Sequence, residues 1–118
     1  MESRLEQQLK KGVLEMLVLR LLCQRPGHGY ELLARMSETS DGAFQLKEGT
    51  LYPILYRLED DGLIASTWQT APGRSAPKKV YTVTEQGRKA QREQRRIWQD
   101  FCRCVERFGS EDGEGDVR

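Results

Sequence analysis

Apolar residues recur at helical spacing in four stretches of this chain and alternate with polar ones in two. Leu5, Leu9, Val13 and Leu17 follow each other every four residues, and from Val13 to Leu22 nearly every position is apolar. That predicts a first helix from about Ser3 or Leu5 to Leu22 or Cys23, deeply buried from Val13 onward. Arg25-Pro26-Gly27-His28-Gly29 breaks it. A second helix is predicted over Tyr30 to Glu38, with Leu32, Leu33 and Met36 as its core side, and Asp41-Gly42 as the turn that follows. Leu51, Ile54, Leu55 and Leu58 mark one face of a third helix, which starts near Glu48 to Thr50 and is closed by Gly62. Pro53 is expected in its first turn, where a missing N–H costs least.

Ile64 to Thr70 and Lys78 to Val83 alternate as strands, and the Pro- and Gly-containing stretch Ala71 to Pro77 joins them as a hairpin. Two strands alone are marginal, so the hairpin must pack on the helices. Thr84 is an N-cap for a last helix reaching about Phe108. The order helix, helix, helix, strand, strand, helix predicts a mainly α fold with a small β-hairpin. It is a winged helix-turn-helix over residues 1–83, a long dimerisation helix over 84–108 and a disordered acidic tail over 109–118.

The outer face of the third helix is unusual. Soluble helices cover that face with flexible charged residues. Here Gly49, Tyr52, Pro53, Tyr56 and Arg57 fall largely opposite the leucines. Hydroxyls of Thr50 and Tyr52 can bond phosphate oxygens, and the planar fork of Arg57 can bond phosphate or guanine. Lys47, just before the helix, suits a backbone phosphate. The competing interpretation makes Tyr52 and Tyr56 half-buried packing residues. Arg74 stands at the hairpin tip, with Lys78 and Lys79 on the return strand. An arginine so placed can enter a narrow minor groove, although a solvated turn would look the same.

The last helix carries Ile97, Trp98, Phe101, Cys104, Val105 and Phe108 on an arc of roughly 120°. The first three helices and the hairpin already close a core, so this stripe predicts pairing with a second copy. Leu5 and Leu9 are expected to join Ile97, Trp98, Phe101, Val105 and Phe108 in that interface. A two-fold dimer presents two helices to a palindromic duplex.

Composition narrows the class further. The 118 residues are enough for one domain with a modest core, and charged residues make up 31%. The net charge of +1 hides an uneven distribution. Glu111, Asp112, Glu114 and Asp116 outnumber Arg118 in the tail. Arg74, Lys78, Lys79, Arg88, Lys89, Arg92, Arg95 and Arg96 outnumber Glu85 and Glu93 further up. A basic zone on a nearly neutral chain suits a polyanion, and equally a solvated helix face. Cys23, Cys102 and Cys104 form no disulfide framework, and the single histidine, His28, leaves no metal-ligand set. No cofactor is expected. The absence of a nucleophile motif and of a phosphate loop argues against an enzyme. Glu59, Asp60 and Asp61 read as solvated surface. No apolar run spans a bilayer, so a cytoplasmic protein without membrane contact is expected.

Five runs carry a family resemblance. They are Lys10-Lys11-Gly12-Val13-Leu14-Glu15-Met16-Leu17-Val18-Leu19; Gly27-His28-Gly29-Tyr30-Glu31-Leu32; Lys47-Glu48-Gly49-Thr50-Leu51-Tyr52-Pro53 with Leu58-Glu59-Asp60-Asp61-Gly62-Leu63-Ile64; and Tyr81-Thr82-Val83-Thr84-Glu85-Gln86-Gly87. Over about residues 9–90 the chain resembles the PadR family of bacterial transcriptional regulators, in its short form with a single terminal helix. The resemblance implies a homodimer that binds double-stranded DNA and usually represses a promoter. By position it implies DNA contacts for Tyr30, Thr50, Tyr52 and Arg57, and wing contacts for Arg74 and Lys78. It also implies that the dimer interface can hold a small aromatic or hydrophobic effector, for which Trp98 is the candidate. The alternative is a winged helix that binds protein and no DNA.

Overall fold

The computed structural model describes residues 2–70, 73 and 76–109. Helix α1 spans Arg4–Gln24 and begins with a capping box. The Ser3 hydroxyl accepts the Glu6 N–H at 3.1 Å, and the Glu6 carboxylate accepts the Ser3 N–H at 2.9 Å. Strand β1, Gly27–His28, leads directly into α2, Gly29–Thr39. His28 caps α2: its Nδ1 accepts the Glu31 N–H at 3.3 Å, while Glu31 accepts the His28 N–H at 3.2 Å. Helix α3 is Glu48–Asp60. Gly62 ends it with a φ of +78°, a conformation that favours glycine, and Leu63 N–H returns to the Leu58 carbonyl at 2.9 Å. Strands β2, Ile64–Gln69, and β3, Lys78–Val83, form the wing, and α4 runs Glu85–Glu106. Thr84 caps α4 through its hydroxyl, 3.0 Å from the Gly87 N–H.

Three features differ from the sequence expectation. The break at Arg25–Gly29 contains β1, which adds a third strand to the hairpin. The order is β1-β3-β2, both pairs antiparallel, with Gly27 opposite Tyr81 and His28 opposite Val80. Two residues show no alternation, so only the free edge of β3 reveals them as a strand. Pro53 lies in the second turn of α3 rather than the first. The carbonyl it leaves without a helical partner belongs to Gly49, which is exposed, so water can satisfy it. Complete burial of α1 begins at Val18 rather than Val13.

The core joins Val18, Leu19, Leu21 and Leu22 of α1 to Leu32 and Met36 of α2, the four leucine-like residues of α3, Ile64 and Tyr81. One charge enters it. Arg35 donates to the Leu21 carbonyl at 2.6 Å and the Arg25 carbonyl at 3.3 Å, satisfying the end of α1. Burial, with nearby Arg25, lowers its pKa from the usual guanidinium value. Cys23 packs against the same core, and burial raises its thiol pKa. Among the described residues no helix is long and apolar enough to cross a membrane, and no group of acids, cysteines and histidine could hold a metal ion.

The first turn of α4 abuts the end of α3. A methyl group at Gly87 would collide with the Leu63 carbonyl and crowd Val83. Backbone cannot yield as a side-chain tip can. Gly87→Ala is expected to cost about 1–3 kcal/mol of stability, measured by denaturant unfolding.

Candidate nucleic-acid interface

Helix α3 buries Leu51, Ile54, Leu55 and Leu58, none more than 4% exposed. At about 100° per residue, the point farthest from that core carries Gly49, Pro53 and Tyr56. All three are exposed. Thr50 and Arg57 lie on one flank of this ridge, and Tyr52 and Glu59 on the other. The sequence placed Tyr52 and Arg57 on one outer face. The structure separates them, because positions five residues apart sit about 140° around a helix.

Each flank borders a groove. Toward α1, a groove of about 410 Å³ is lined by Lys11, Gly12, Leu14, Glu15, Gly49, Thr50, Pro53, Ile54 and Arg57. The Arg57 guanidinium pairs there with the Glu15 carboxylate through Nε. Both side chains are more than two-fifths exposed, so the pair is a weak tether that a phosphate can replace. Toward the wing, a groove of about 530 Å³ is lined by His28, Gly29, Tyr30, Tyr52, Tyr56, Trp68, Lys78, Lys79 and Tyr81. Tyr52 and Tyr56 lie side by side, ring centroids 6.3 Å apart. Lys79 Nζ lies 5.9 Å from the Trp68 ring centre and 5.7 Å from that of Tyr81. Such cation–π contacts hold an ammonium without neutralising it.

Charge is graded along α3. Lys47 precedes it and its N-terminus carries a positive dipole, with Glu48 the one acid of the first turn. Glu59, Asp60 and Asp61 gather at the other end, where the Ser66 hydroxyl donates to Glu59 at 2.7 Å. A polyanion is therefore favoured at the N-terminal half.

Tyr30 is 74% exposed, and Lys47, Thr50, Arg57 and Lys78 are also exposed. Tyr52 is half-buried, its hydroxyl packed on the start of α2. Arg74 lies outside the described residues. The sequence missed Trp68, Tyr81 and His28 in the wing-side groove. The spacing of two between Lys79 and Tyr81, which puts both on one side of the strand, was the available signal, but it says nothing of what lies above that side.

Helix α4 leaves the body after Gln94. From Arg95 to Gly109 every residue except Cys102 is exposed. Ile97, Phe101 and Val105 are each about half exposed and Phe108 still more, with Trp98 38% exposed and its ring 6.4 Å from Phe101. Leu5 and Leu9 are exposed on α1. The wing-side Trp68 is exposed too, far along the chain from this stripe.

Two packed helices with a third laid outward, followed by an antiparallel wing, define a winged helix-turn-helix protein. Residues 18–93 match the Transcriptional regulator PadR-like family, and the chain belongs to that family of transcriptional regulators. It is similar to the transcriptional regulator Rv3488 of Mycobacterium tuberculosis, 41% identical over 68 residues, which cover 58% of this chain and 62% of that protein. A PadR family transcriptional regulator from Eggerthella lenta has a crystal structure that superposes with a TM-score of 0.77 at 34% identity, over 86% of each chain. A PadR-like regulator from Bacillus cereus gives 0.73 at 28% identity, over 87% of this chain and 99% of that one.

The contact between α2 and α3 can be tested directly. A side chain at Gly29 would collide with the Tyr52 phenol. Gly29→Ala is expected to destabilise by about 1–3 kcal/mol. Most of that loss should vanish in a Tyr52→Leu background, a coupling read from unfolding of the four variants.

Proposed function

We propose that this regulator is a homodimeric repressor that binds a palindromic double-stranded DNA site. The N-terminal half of α3 enters the major groove, and the wing reaches the neighbouring minor groove. One observation carries this reading: the uncovered ridge of Gly49, Pro53 and Tyr56 stands between two grooves, each with cations at its border. Lys11 and Arg57 flank one side, and Lys78 and Lys79 the other. A helix in the major groove has a phosphate strand on either hand, so this arrangement suits the duplex. Phosphate contacts fix position, and Tyr56 on the ridge, with Thr50 on its flank, is the side chain best placed for base edges.

The dimer reading rests on the stripe of α4. Trp98, Phe101, Val105 and Phe108 form an apolar surface that stays open to solvent, Trp98 the least at 38%. Leu5 and Leu9 extend it. Isologous pairing of α4 and the start of α1 removes that surface from water. The adjacent Trp98 and Phe101 rings would line a seat for a small aromatic or hydrophobic effector at the same interface.

Selection of duplexes from a random library on the purified protein tests the function. The selected DNA should show two-fold symmetry, and affinity should fall by about 10³-fold or more between 50 and 200 mM salt if six or more phosphates are neutralised. Arg57→Gln and Lys79→Gln should each lower the salt slope by about one. A flat salt response would point to a protein-binding module instead. Trp98→Ala and Phe101→Ala should each weaken the dimer by about 2 kcal/mol or more, roughly 30-fold, in sedimentation equilibrium.

A further inference from the structure

Tyr81 carries a hydroxyl into the core. It is 1% exposed, and among the described residues no protein group hydrogen-bonds its hydroxyl, which still keeps a small opening to water. A phenol in the core needs a hydrogen-bond partner, and here solvent or a ligand in the groove must supply it. The nearby carboxylate, Glu59, is already engaged by the Ser66 hydroxyl. Yet Tyr81 reaches the wall of the wing-side groove. Burial first, then the neighbouring Tyr52 and Tyr56, push its phenol up to about 12, so it keeps its proton as a donor.

What surrounds that hydroxyl is suited to an anion. Among the described residues no carboxylate lines the groove. Two lysines do, and the Lys79 ammonium is held over the Tyr81 and Trp68 rings rather than by an acid. Tyr52 and Tyr56 bring two further hydroxyls, and α2 begins at Gly29, also in the lining. Hydroxyl donors, an unneutralised ammonium and a helix start suit the oxygens of a phosphate.

We propose that this groove seats a single phosphate of the DNA backbone, with the Tyr81 hydroxyl as the donor at its floor and Lys79 as the counter-charge at its rim. The assignment rests on the DNA-binding reading above. A backbone phosphate is the source favoured over a free one because the groove opens beside the exposed ridge of α3, where a duplex strand would run. Tyr81 thus has two roles from one side chain: its ring fills the core and its hydroxyl reaches ligand.

The test combines Tyr81→Phe with duplexes in which one phosphate at a time is replaced by neutral methylphosphonate. Tyr81→Phe keeps the ring, so the melting temperature should hold within a few degrees. Affinity should fall about three- to tenfold, equally for a selected and an unrelated duplex, since the lost contact reads no base. One methylphosphonate position per half-site should weaken the wild type, and at that position Tyr81→Phe should add nothing further. Unchanged affinity of Tyr81→Phe on natural duplex overturns the seat, as does an equal loss at every methylphosphonate position. Tight binding of inorganic phosphate, abolished by Tyr81→Phe without DNA, would overturn it in favour of a free anion. If Tyr81→Phe fails to fold, the wild-type methylphosphonate scan still decides: no sensitive position overturns the seat. These failures differ from failure of the DNA-binding reading itself, in which the wild type selects no duplex or binds without salt dependence.

Discussion

The rotation of α3 about its own axis is set by Leu51, Ile54, Leu55 and Leu58, and the rest of the surface follows from it. Burying each of these side chains contributes about 1.5–3 kcal/mol, so the four together supply an amount comparable to the whole stability of a small domain. Turning the helix by one residue would expose part of this set and bury Tyr56. No contact on the outer side could offset that. The ridge is therefore held outward by what lies beneath it, and the grooves on its flanks are consequences of the same packing. Tyr52 falls toward α2 and Arg57 toward α1 because the leucine side leaves them no other direction.

The same one-sidedness explains what the sequence made legible. Period-3.6 patterns located all four helices, and alternation located the wing, because each of these elements has one wet face. Thr84 and Gly62 marked their boundaries through cap chemistry that needs no tertiary context. Strand β1 was hidden, since a pair of residues has no period. Tyr81 was hidden for a different reason: it alternates like an ordinary wing residue, and only helices packed on the sheet from elsewhere in the chain make it core. The pairing of Arg57 with Glu15 joins positions 42 apart in sequence, beyond any local rule. The apolar run from Val13 overstated burial because composition does not show where neighbouring helices end. Of the residues proposed for the interface, Tyr30, Lys47, Thr50 and Lys78 sit in the open, while Tyr52 is drawn inward by the absence of a side chain at Gly29.

Net charge contributes little to this account. A chain with formal charge +1 has no strong long-range attraction for a polyanion. Selectivity for phosphate must come from arrangement: ammonium groups held over rings, an arginine held by a weak exposed pair, and acids kept at the far end of α3. Glu59, Asp60 and Asp61 then disfavour a duplex shifted toward that end. In the proposed complex they would restrict the register of docking, because like charges at close range cost free energy wherever water is excluded.

The joint between α3 and α4 connects this surface to the apolar stripe. The Thr84 hydroxyl donates to the Gly62 carbonyl at 2.7 Å, and the Thr84 N–H donates to the Leu63 carbonyl at 3.0 Å. Gln86 reaches the Asp61 carbonyl at 3.4 Å, and Gly87 lets the α4 backbone approach Leu63. Four successive contacts within one turn leave α4 little freedom to swing against α3. In the proposed dimer, the distance and angle between the two α3 ridges would be transmitted through this joint from wherever the two α4 helices pair. A shift of the aromatic stripe by one helical turn, about 5.4 Å, would then displace each ridge by a comparable distance, which exceeds the 3.4 Å rise of one base step. A ligand wedged beside Trp98 would need no contact with the DNA-facing surface to spoil its fit. The rigidity of the joint between Asp61–Leu63 and Thr84–Gly87, rather than any motion inside the winged helix, is what would make the two ends of the molecule answer to each other.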